Sequence, residues 1–250
     1  MIKLFRNIRK NLLSQGKTTK YFKYAIGEIL LVVIGILIAL QINNWNEARK
    51  DKKYLHTVYS QIQKDLKSDT VALSPVIEFY FDKSERLKDI IDRAIPKGYY
   101  DTITSTNYKQ CLHCRSDVTD FQTFKNLDKG YQLLKAMNTE QNFETDSISL
   151  RIDTFYTEYN EFIMRSNNIF SDLAKDNLTS YQKYEWFVDW SAYIGRTYYD
   201  KEFLKYIFES EENRVKSAHY KIFTLWYLGN LRKYKKEATA MLLLLEEQIN

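Results

Sequence analysis

Residues 24–42 read YAIGEILLVVIGILIALQI, and this stretch decides how the rest of the chain is organised. Its nineteen residues, at about 1.5 Å of helical rise each, span roughly 28 Å, close to the ~30 Å hydrocarbon thickness of a bilayer. Only Glu28 and Gln41 interrupt the apolar run, and both lie near its ends. The sequence therefore predicts a transmembrane helix at residues 24–42.

The charges on the two sides of this span predict its orientation. Residues 1–23 contain seven Lys/Arg and no acidic residue, whereas residues 47–53 contain four Lys/Arg and two acidic residues. The flank richer in Lys/Arg stays in the cytoplasm. Residues 1–23 are therefore predicted to be a basic cytoplasmic tail, and the C-terminal part is predicted to lie in the periplasm, outside the inner membrane of a bacterium. An uncleaved signal anchor is favoured because ALQINNW offers no small-x-small cleavage site.

Three further features of the N-terminal region each have two interpretations. Gly27, Gly35 and Ala39 share one helix face, which suits a homodimer contact, although small residues at this spacing are frequent in apolar segments. Glu28 is either a functional intramembrane carboxyl or a group that reaches the lipid interface. Residues 3–13 form either an amphipathic helix on the inner leaflet or a disordered tail.

The composition of residues 43–250 indicates a helical and near-neutral domain. The whole chain carries a net charge of +5, but residues 43–250 sum to −1, so the folded part has no basic excess for nucleic acid. The chain contains only 7 Gly and 2 Pro, which favours long helices over turn-rich sheets. No nucleic-acid partner is expected.

Apolar residues at helical spacing predict a stalk helix over residues 43–70 and a helical domain over residues 71–250. Residues 97–118 are polar and irregular and are predicted to form one long loop. The helices predicted within the domain begin at Ser74–Pro75 and then cover residues 121–128, 131–137, 147–175, 181–194, 201–208 and 213–247, with Gly229 as a candidate break in the last.

Two segments resemble a known family. Residues 16–47, GKTTKYFKYAIGEILLVVIGILIALQINNWNE, resemble the N-terminal signature of a family of bacterial membrane proteins described as a domain of unknown function. Residues 121–137, FQTFKNLDKGYQLLKAM, are similar to the middle region of that family, where an aromatic-x-x-Leu turn, a Gly and a short helix recur. The resemblance implies one N-terminal span followed by a helical region outside the inner membrane. It implies no activity and no site residues.

Cys111 and Cys114 are the only cysteines and lie within the predicted loop. A local disulfide is favoured for an oxidising periplasm. A redox role requires a CxxC at a helix N-terminus in a strand–helix–strand context, which is absent. A metal site would use both thiolates and His113, but no second ligand pair follows at zinc-ribbon spacing. The sequence therefore predicts a disulfide and neither a metal ion nor a cofactor.

Carboxylate pairs on the predicted helices supply no catalytic residue. Glu185 and Asp189 flank Trp186 and lie near Trp190, as in a sugar or cation site. The same spacing is typical of a solvated helix face, and the two tryptophans share a face that suits packing. Glu158 and Glu161 are a comparable pair without a histidine partner for di-iron chemistry.

The sequence as a whole predicts an all-α protein with a single N-terminal transmembrane helix and an extracytoplasmic helical bundle. The leading functional hypothesis is a non-enzymatic interaction or scaffold protein of the bacterial cell envelope, anchored in the lipid bilayer and bound to an envelope protein partner. A ligand-sensing domain is the first alternative. A CxxC-dependent redox or metal protein built on Cys111, His113 and Cys114 is the second.

Overall fold

The computed structural model describes residues 18–140, 146–192 and 199–249. Within these ranges the chain forms six α-helices and two short 3₁₀ turns, Tyr99–Thr102 and Tyr108–Gln110, and contains no β-strand. The helices are α1 (Thr18–Ile91), α2 (Lys129–Glu140), α3 (Ser147–Tyr181), α4 (Trp186–Ala192), α5 (Lys201–Glu209) and α6 (Glu211–Ile249). The predicted all-α fold with one long apolar N-terminal helix is confirmed. The amphipathic helix considered for residues 3–13 lies outside the described residues.

The chain divides into two compact units, the first ending at Thr57 and the second beginning at Val58. In the first unit, the large apolar side chains from Ile26 to Ile42 are all exposed. A helix that is apolar on every side suits hydrocarbon better than water. Among the described helices, α1 is the one long and apolar enough to cross a membrane, and its apolar stretch has no part buried within the protein. The predicted boundaries of the tail, span, stalk and domain stay predictions.

Pro75 lies inside α1, so the prediction of a new helix beginning at Ser74–Pro75 is wrong. A proline within a helix removes one hydrogen bond and costs ~3 kcal/mol. Leu73, Val76 and Tyr80 lie on either side of the proline and are buried, and burying each such side chain contributes about 1.5–3 kcal/mol. Packing against the rest of the second unit therefore keeps α1 continuous through Pro75.

The core of the second unit lies among α1, α3 and α6, and aromatic side chains from all three helices pack together in it. The ring of Tyr80 on α1 lies 5.2 Å from Phe170 on α3 and 5.0 Å from Tyr227 on α6. A second cluster forms where Phe155 on α3 lies 5.1 Å from Tyr234 on α6. These side chains are at most 5% exposed, so tyrosines serve here as core residues. The hydroxyls of Tyr80 and Tyr234 reach polar partners, whereas the hydroxyl of Tyr227 is buried without one among the described residues.

Residues 117–128, the extended segment, are not helical, so the prediction of a helix over residues 121–128 is wrong. The irregular region between α1 and α2 is accordingly longer than the predicted loop of residues 97–118. Side chains of the three core helices bind the backbone of the extended segment. Backbone oxygens of this segment accept hydrogen bonds from Lys83 and Tyr80 on α1, Asn167 and Asn177 on α3, and Tyr220 on α6. Because these donors satisfy the backbone, the segment needs no helix of its own.

Lys83 is the central donor to the extended segment. Its ammonium group donates to the carbonyl oxygens of Asp117, at 3.0 Å, and Asp120, and it lies 4.6 Å from the centre of the Phe79 ring. The side chain is fully buried, and burial lowers the pKa of Lys83 to about 8.

Two buried carboxylates of α1 bind backbone N–H groups at the end of the extended segment and the start of α2. Asp69 accepts from the N–H of Leu127 at 3.0 Å, and Asp65 accepts from the N–H of Gly130 at 2.7 Å. A Cβ atom on Gly130 would lie 2.5 Å from the backbone nitrogen of Ile62. The glycine of the 121–137 motif is therefore the residue that lets α2 approach α1 this closely.

The remaining helices agree with the sequence patterns. α2, α3 and α5 cover the predicted segments 131–137, 147–175 and 201–208. The segment predicted at 181–194 is divided between the end of α3 and α4, and residues 193–194 lie outside the described ranges. α6 is unbroken, since Gly229 lies within it. The side chains of Asp146 and Asp200 accept hydrogen bonds at the N-termini of α3 and α5, as N-caps do.

Candidate functional site

A cleft of about 830 Å³, open to solvent, lies at α4 and α5. Three aromatic side chains line it: Tyr184 in the turn before α4, Trp186 at the start of α4, and Tyr206 on α5. The rings of Tyr184 and Trp186 stack with centroids 5.2 Å apart and planes 12° apart, and Tyr206 lies 4.9 Å from Tyr184. Trp186 and Tyr206 are buried, with 8% and 6% of their surface exposed.

A charge cluster next to the cleft holds Tyr184 in place. The carboxylate of Glu212 on α6 accepts hydrogen bonds from the hydroxyl of Tyr184 at 2.8 Å and from the ammonium groups of Lys183, at 2.6 Å, and Lys216. Partial burial raises the pKa of Glu212, but these three hydrogen bonds outweigh burial and lower the pKa to about 2. Glu212 is therefore ionised at neutral pH, with two cations bound to it.

The rim of the cleft is acidic. Five carboxylates line it, those of Glu185, Asp189, Asp200, Glu202 and Glu209, against the two lysines Lys183 and Lys205. Lys183 is already bound to Glu212, and Asp200 caps α5 by accepting from the backbone N–H of Phe203 at 2.7 Å. The cleft thus presents excess negative charge beside aromatic rings.

The structure brings together part of what the sequence suggested for this region and adds residues that the sequence did not reveal. Glu185, Asp189 and Trp186 line the cleft, whereas Trp190 packs against Phe203 with centroids 5.7 Å apart and is not among the lining residues. Tyr206, Glu202 and Glu209 come from α5. No sequence pattern shows that α5 folds against α4, so these residues were missed.

Cys111 and Cys114 are joined by a disulfide in the structure, with Cα atoms 5.3 Å apart. The loop that carries them is fixed to α1 by His113, whose Nε2 lies 2.9 Å from a carboxylate oxygen of Asp89, and by a two-bond ion pair between Arg86 and Asp117. Neither cysteine starts a described helix. The redox state of the pair in the cell stays a prediction.

The structure does not decide between the two interpretations given for each predicted site residue of the span. Gly27, Gly35 and Ala39 are exposed on α1, and a Cβ on either glycine would meet no atom within 4 Å. Glu28 is partly exposed. The homodimer contact and the role of the Glu28 carboxyl stay predictions.

Among the residues that the structure describes, other chemistry-bearing groups do not gather into a second site. Within the described residues, no group of three or more His, Cys, Asp and Glu side chains is placed to hold a metal ion. Lys83 has a lowered pKa, but its complete burial leaves a substrate no access to it. The α4–α5 cleft is therefore the candidate functional site.

Comparison with known proteins gives a family and no activity. No curated protein and no solved structure matches the chain. A family of unknown function, DUF6090, matches residues 28–184, a range that holds most of α1, α2, α3 and the extended segment. The match ends at Tyr184, so Trp186 and α5 lie beyond the matched range. Because the matched range covers more than half of the sequence, the chain belongs to the family of unknown function DUF6090.

Proposed function

We propose that this protein is a membrane-anchored interaction protein of the bacterial cell envelope, and that its α4–α5 cleft receives a partner. The observation that carries the proposal is an open cleft of about 830 Å³ in a helical unit whose chain also has a helix apolar on every side. Binding suits the cleft better than catalysis, because its lining pairs no nucleophile with a histidine or cysteine.

The proposed placement has residues 1–23 in the cytoplasm and the second unit in the periplasm. The excess of Lys/Arg before the span supports this orientation. A disulfide between Cys111 and Cys114 would suit the same compartment.

Substituted cysteines test the orientation. In a Cys111→Ser, Cys114→Ser background, Val188→Cys gives a single thiol at a position that is 72% exposed. We expect a membrane-impermeant maleimide to label it once the outer membrane is permeabilised. Labelling that requires lysis of the inner membrane would show that the second unit is cytoplasmic.

Site-specific photo-crosslinking in cells tests the interaction. A photoreactive amino acid at Val188 on α4, next to Asp189, is compared with one at Val71 on α1, since the two positions are 72% and 73% exposed. We expect a discrete protein adduct at Val188 and none at Val71. Equal adducts at both positions, or none at Val188, would contradict an interaction at this cleft.

A ligand-sensing function is the second candidate, and the size of the cleft favours it. Small-molecule sites commonly enclose about 300–1,000 Å³, a range that includes the 830 Å³ of this cleft. If a small molecule occupies the cleft, the melting temperature of the full-length protein will rise with that compound, and Tyr206→Ala will remove the rise. A screen without any such shift would leave the interaction function as the better account.

A further inference from the structure

We propose that the α4–α5 cleft binds a basic peptide segment, with lysine or arginine side chains of the segment held between the rim carboxylates and the aromatic rings. This inference rests on the proposed interaction function and specifies the chemistry of the partner. Three observations carry it: unpaired negative charge, rings that already contact cations, and carboxylates that do not converge on one point.

Four of the five rim carboxylates are not neutralised by the described residues. The side-chain carboxylates of Glu185, Asp189, Glu202 and Glu209 have no hydrogen-bond or ion-pair partner among the described residues. Glu212, directly behind the cleft, is the contrasting case, because Lys183 and Lys216 both bind it. Within the described residues, Glu212 is thus neutralised, whereas the carboxylates of Glu185, Asp189, Glu202 and Glu209 are not.

The aromatic residues of the cleft already contact ammonium groups from within the chain. Lys183 Nζ lies 5.2 Å from the centre of the Tyr184 ring while also binding Glu212. Lys216 Nζ lies 5.8 Å from the centre of Tyr206 while binding the same carboxylate. A cation held by a ring and a carboxylate together is therefore an arrangement that this site uses twice. A ligand cation in the cleft would repeat it with the exposed part of one of these rings and a rim carboxylate.

The distribution of the carboxylates favours an extended ligand over a single metal ion. Glu185 and Asp189 belong to α4 and the turn before it, whereas Glu202 and Glu209 stand near opposite ends of α5. No three of the acidic side chains described in the structure are close enough to share a metal ion. Several separate cations on one flexible chain match this arrangement, as the side chains of a basic peptide do.

Binding to the full-length protein in nanodiscs of zwitterionic phosphatidylcholine tests the inference. The probe is a short fluorescein-labelled peptide of alternating lysine and glycine, measured by anisotropy, with empty nanodiscs as the blank. The control peptide has the same sequence with every lysine acetylated, which removes the charge and keeps the length. We expect the lysine peptide to bind, its affinity to fall with added salt, and the acetylated peptide not to bind.

A matched pair of quadruple variants separates the cleft from general electrostatics. The cleft variant carries Glu185→Gln, Asp189→Asn, Glu202→Gln and Glu209→Gln, whereas the control variant carries Glu161→Gln, Asp172→Asn, Asp176→Asn and Glu247→Gln at exposed positions elsewhere. Both variants change the net charge equally. We expect the cleft variant to bind the lysine peptide at least about tenfold more weakly, and the control variant to stay within about threefold of the natural protein.

Equal weakening in the two variants, or equal binding of the two peptides, would overturn the inference. Thermal melts of both variants establish that folding is intact, and the peptide comparison on the natural protein needs no variant. If the lysine peptide does not bind while the adduct at Val188 still forms, the ligand class is wrong and the interaction function stands. If the adduct is also absent, both proposals fall.

Discussion

The two parts of helix α1 have the same backbone and opposite side-chain chemistry. From Ile26 to Ile42 its large apolar side chains are exposed on every face, whereas beyond Val58 one face is buried and carries polar groups as well. Asp65, Asp69 and Lys83 on the second part are all at most 4% exposed, and each binds backbone groups of another segment. One helix thus contains both a stretch suited to lipid and a stretch suited to a protein core.

The difference shows what stabilises each part. The apolar side chains of the first part are not buried by any described part of the protein, so the surrounding medium decides whether that part is stable, and any apolar side chain of similar size serves equally well. The second part depends on particular atoms at particular places. Four substitution experiments separate the two parts, and no expected effect exceeds the one before it.

Lysines in the first part should prevent membrane insertion without unfolding the second unit. Each lysine at the centre of a span costs about 3 kcal/mol, so Val33→Lys with Leu37→Lys costs about 6 kcal/mol. We expect the double variant to be released by alkaline carbonate, while the melting temperature of the second unit stays unchanged. Val71→Lys with Leu243→Lys, at exposed positions of the second unit, is the control and should stay membrane-bound. Retention of the first variant in the carbonate pellet would contradict a transmembrane helix.

Gly130→Ala should be the most damaging single substitution of the four experiments. The added Cβ would lie 2.5 Å from the backbone nitrogen and 2.6 Å from Cγ1 of Ile62, so α2 must shift away from α1. We expect the free energy of unfolding by urea to fall by about 3 kcal/mol. Gly229→Ala on α6, where a Cβ meets nothing within 4 Å, is the matched control and should raise it by about 0.5–1 kcal/mol. A tolerated Gly130→Ala would refute the close contact.

Lys83→Met should destabilise the second unit by about 2 kcal/mol, because the carbonyl oxygens of Asp117 and Asp120 each lose a hydrogen bond. Urea unfolding measures the change. Lys67→Met is the control, since Lys67 is exposed and its ion pair with Glu246 has an N–O distance of 3.5 Å; the effect should stay within about 0.5 kcal/mol. If the two variants prove equally stable, Lys83 does not hold the extended segment.

Asp69→Asn should change how stability depends on pH. Burial raises the pKa of Asp69 from 3.8 to about 6, although the hydroxyl of Tyr234 and the N–H of Leu127 both favour the ionised form. The folded state therefore keeps a proton that the unfolded state releases, and the stability this provides is fully present below pH 3.8 and is lost as the pH rises through 6.

Urea unfolding between pH 4 and pH 7 measures the effect of Asp69. The natural protein should lose about 2 kcal/mol relative to Asp69→Asn over this range. Asp172→Asn, at an exposed position of α3, is the control and should follow the natural protein. Parallel curves for the natural protein and Asp69→Asn would mean that burial does not perturb this carboxyl.

The sequence predicts elements whose cause is local and misses those whose cause is distant. The apolar stretch of α1 can be identified because its length and composition are properties of the local sequence. Residues 121–128 are predicted wrongly because the backbone of the extended segment is bound by Tyr80 and Tyr220, which lie 42 and 100 residues away from their acceptors. The helix start predicted at Pro75 is wrong for the same reason, because buried side chains on both sides of the proline keep α1 continuous.

The cleft likewise contains residues that the sequence indicates and residues that it misses. Glu185, Asp189 and Trp186 are neighbours in sequence, so the sequence indicates them as a group, but the same pattern fits an ordinary solvated helix. Tyr206 and Glu209 distinguish the two cases, and they do so only after α5 has folded against α4. A single sequence contains no record of that contact.

The hydrogen bond between Asp69 and Tyr234 has a consequence for biogenesis. The hydroxyl oxygen of Tyr234 lies 2.6 Å from a carboxylate oxygen of Asp69, although the two residues are separated by 165 positions in the sequence. At about 5–20 residues per second, translation delivers Tyr234 roughly 10–30 s after Asp69. The apolar N-terminal stretch leaves the ribosome long before α6 exists, so this stretch meets its surroundings before the core can close. Nascent chains that stop before α6 should accordingly lack a closed core.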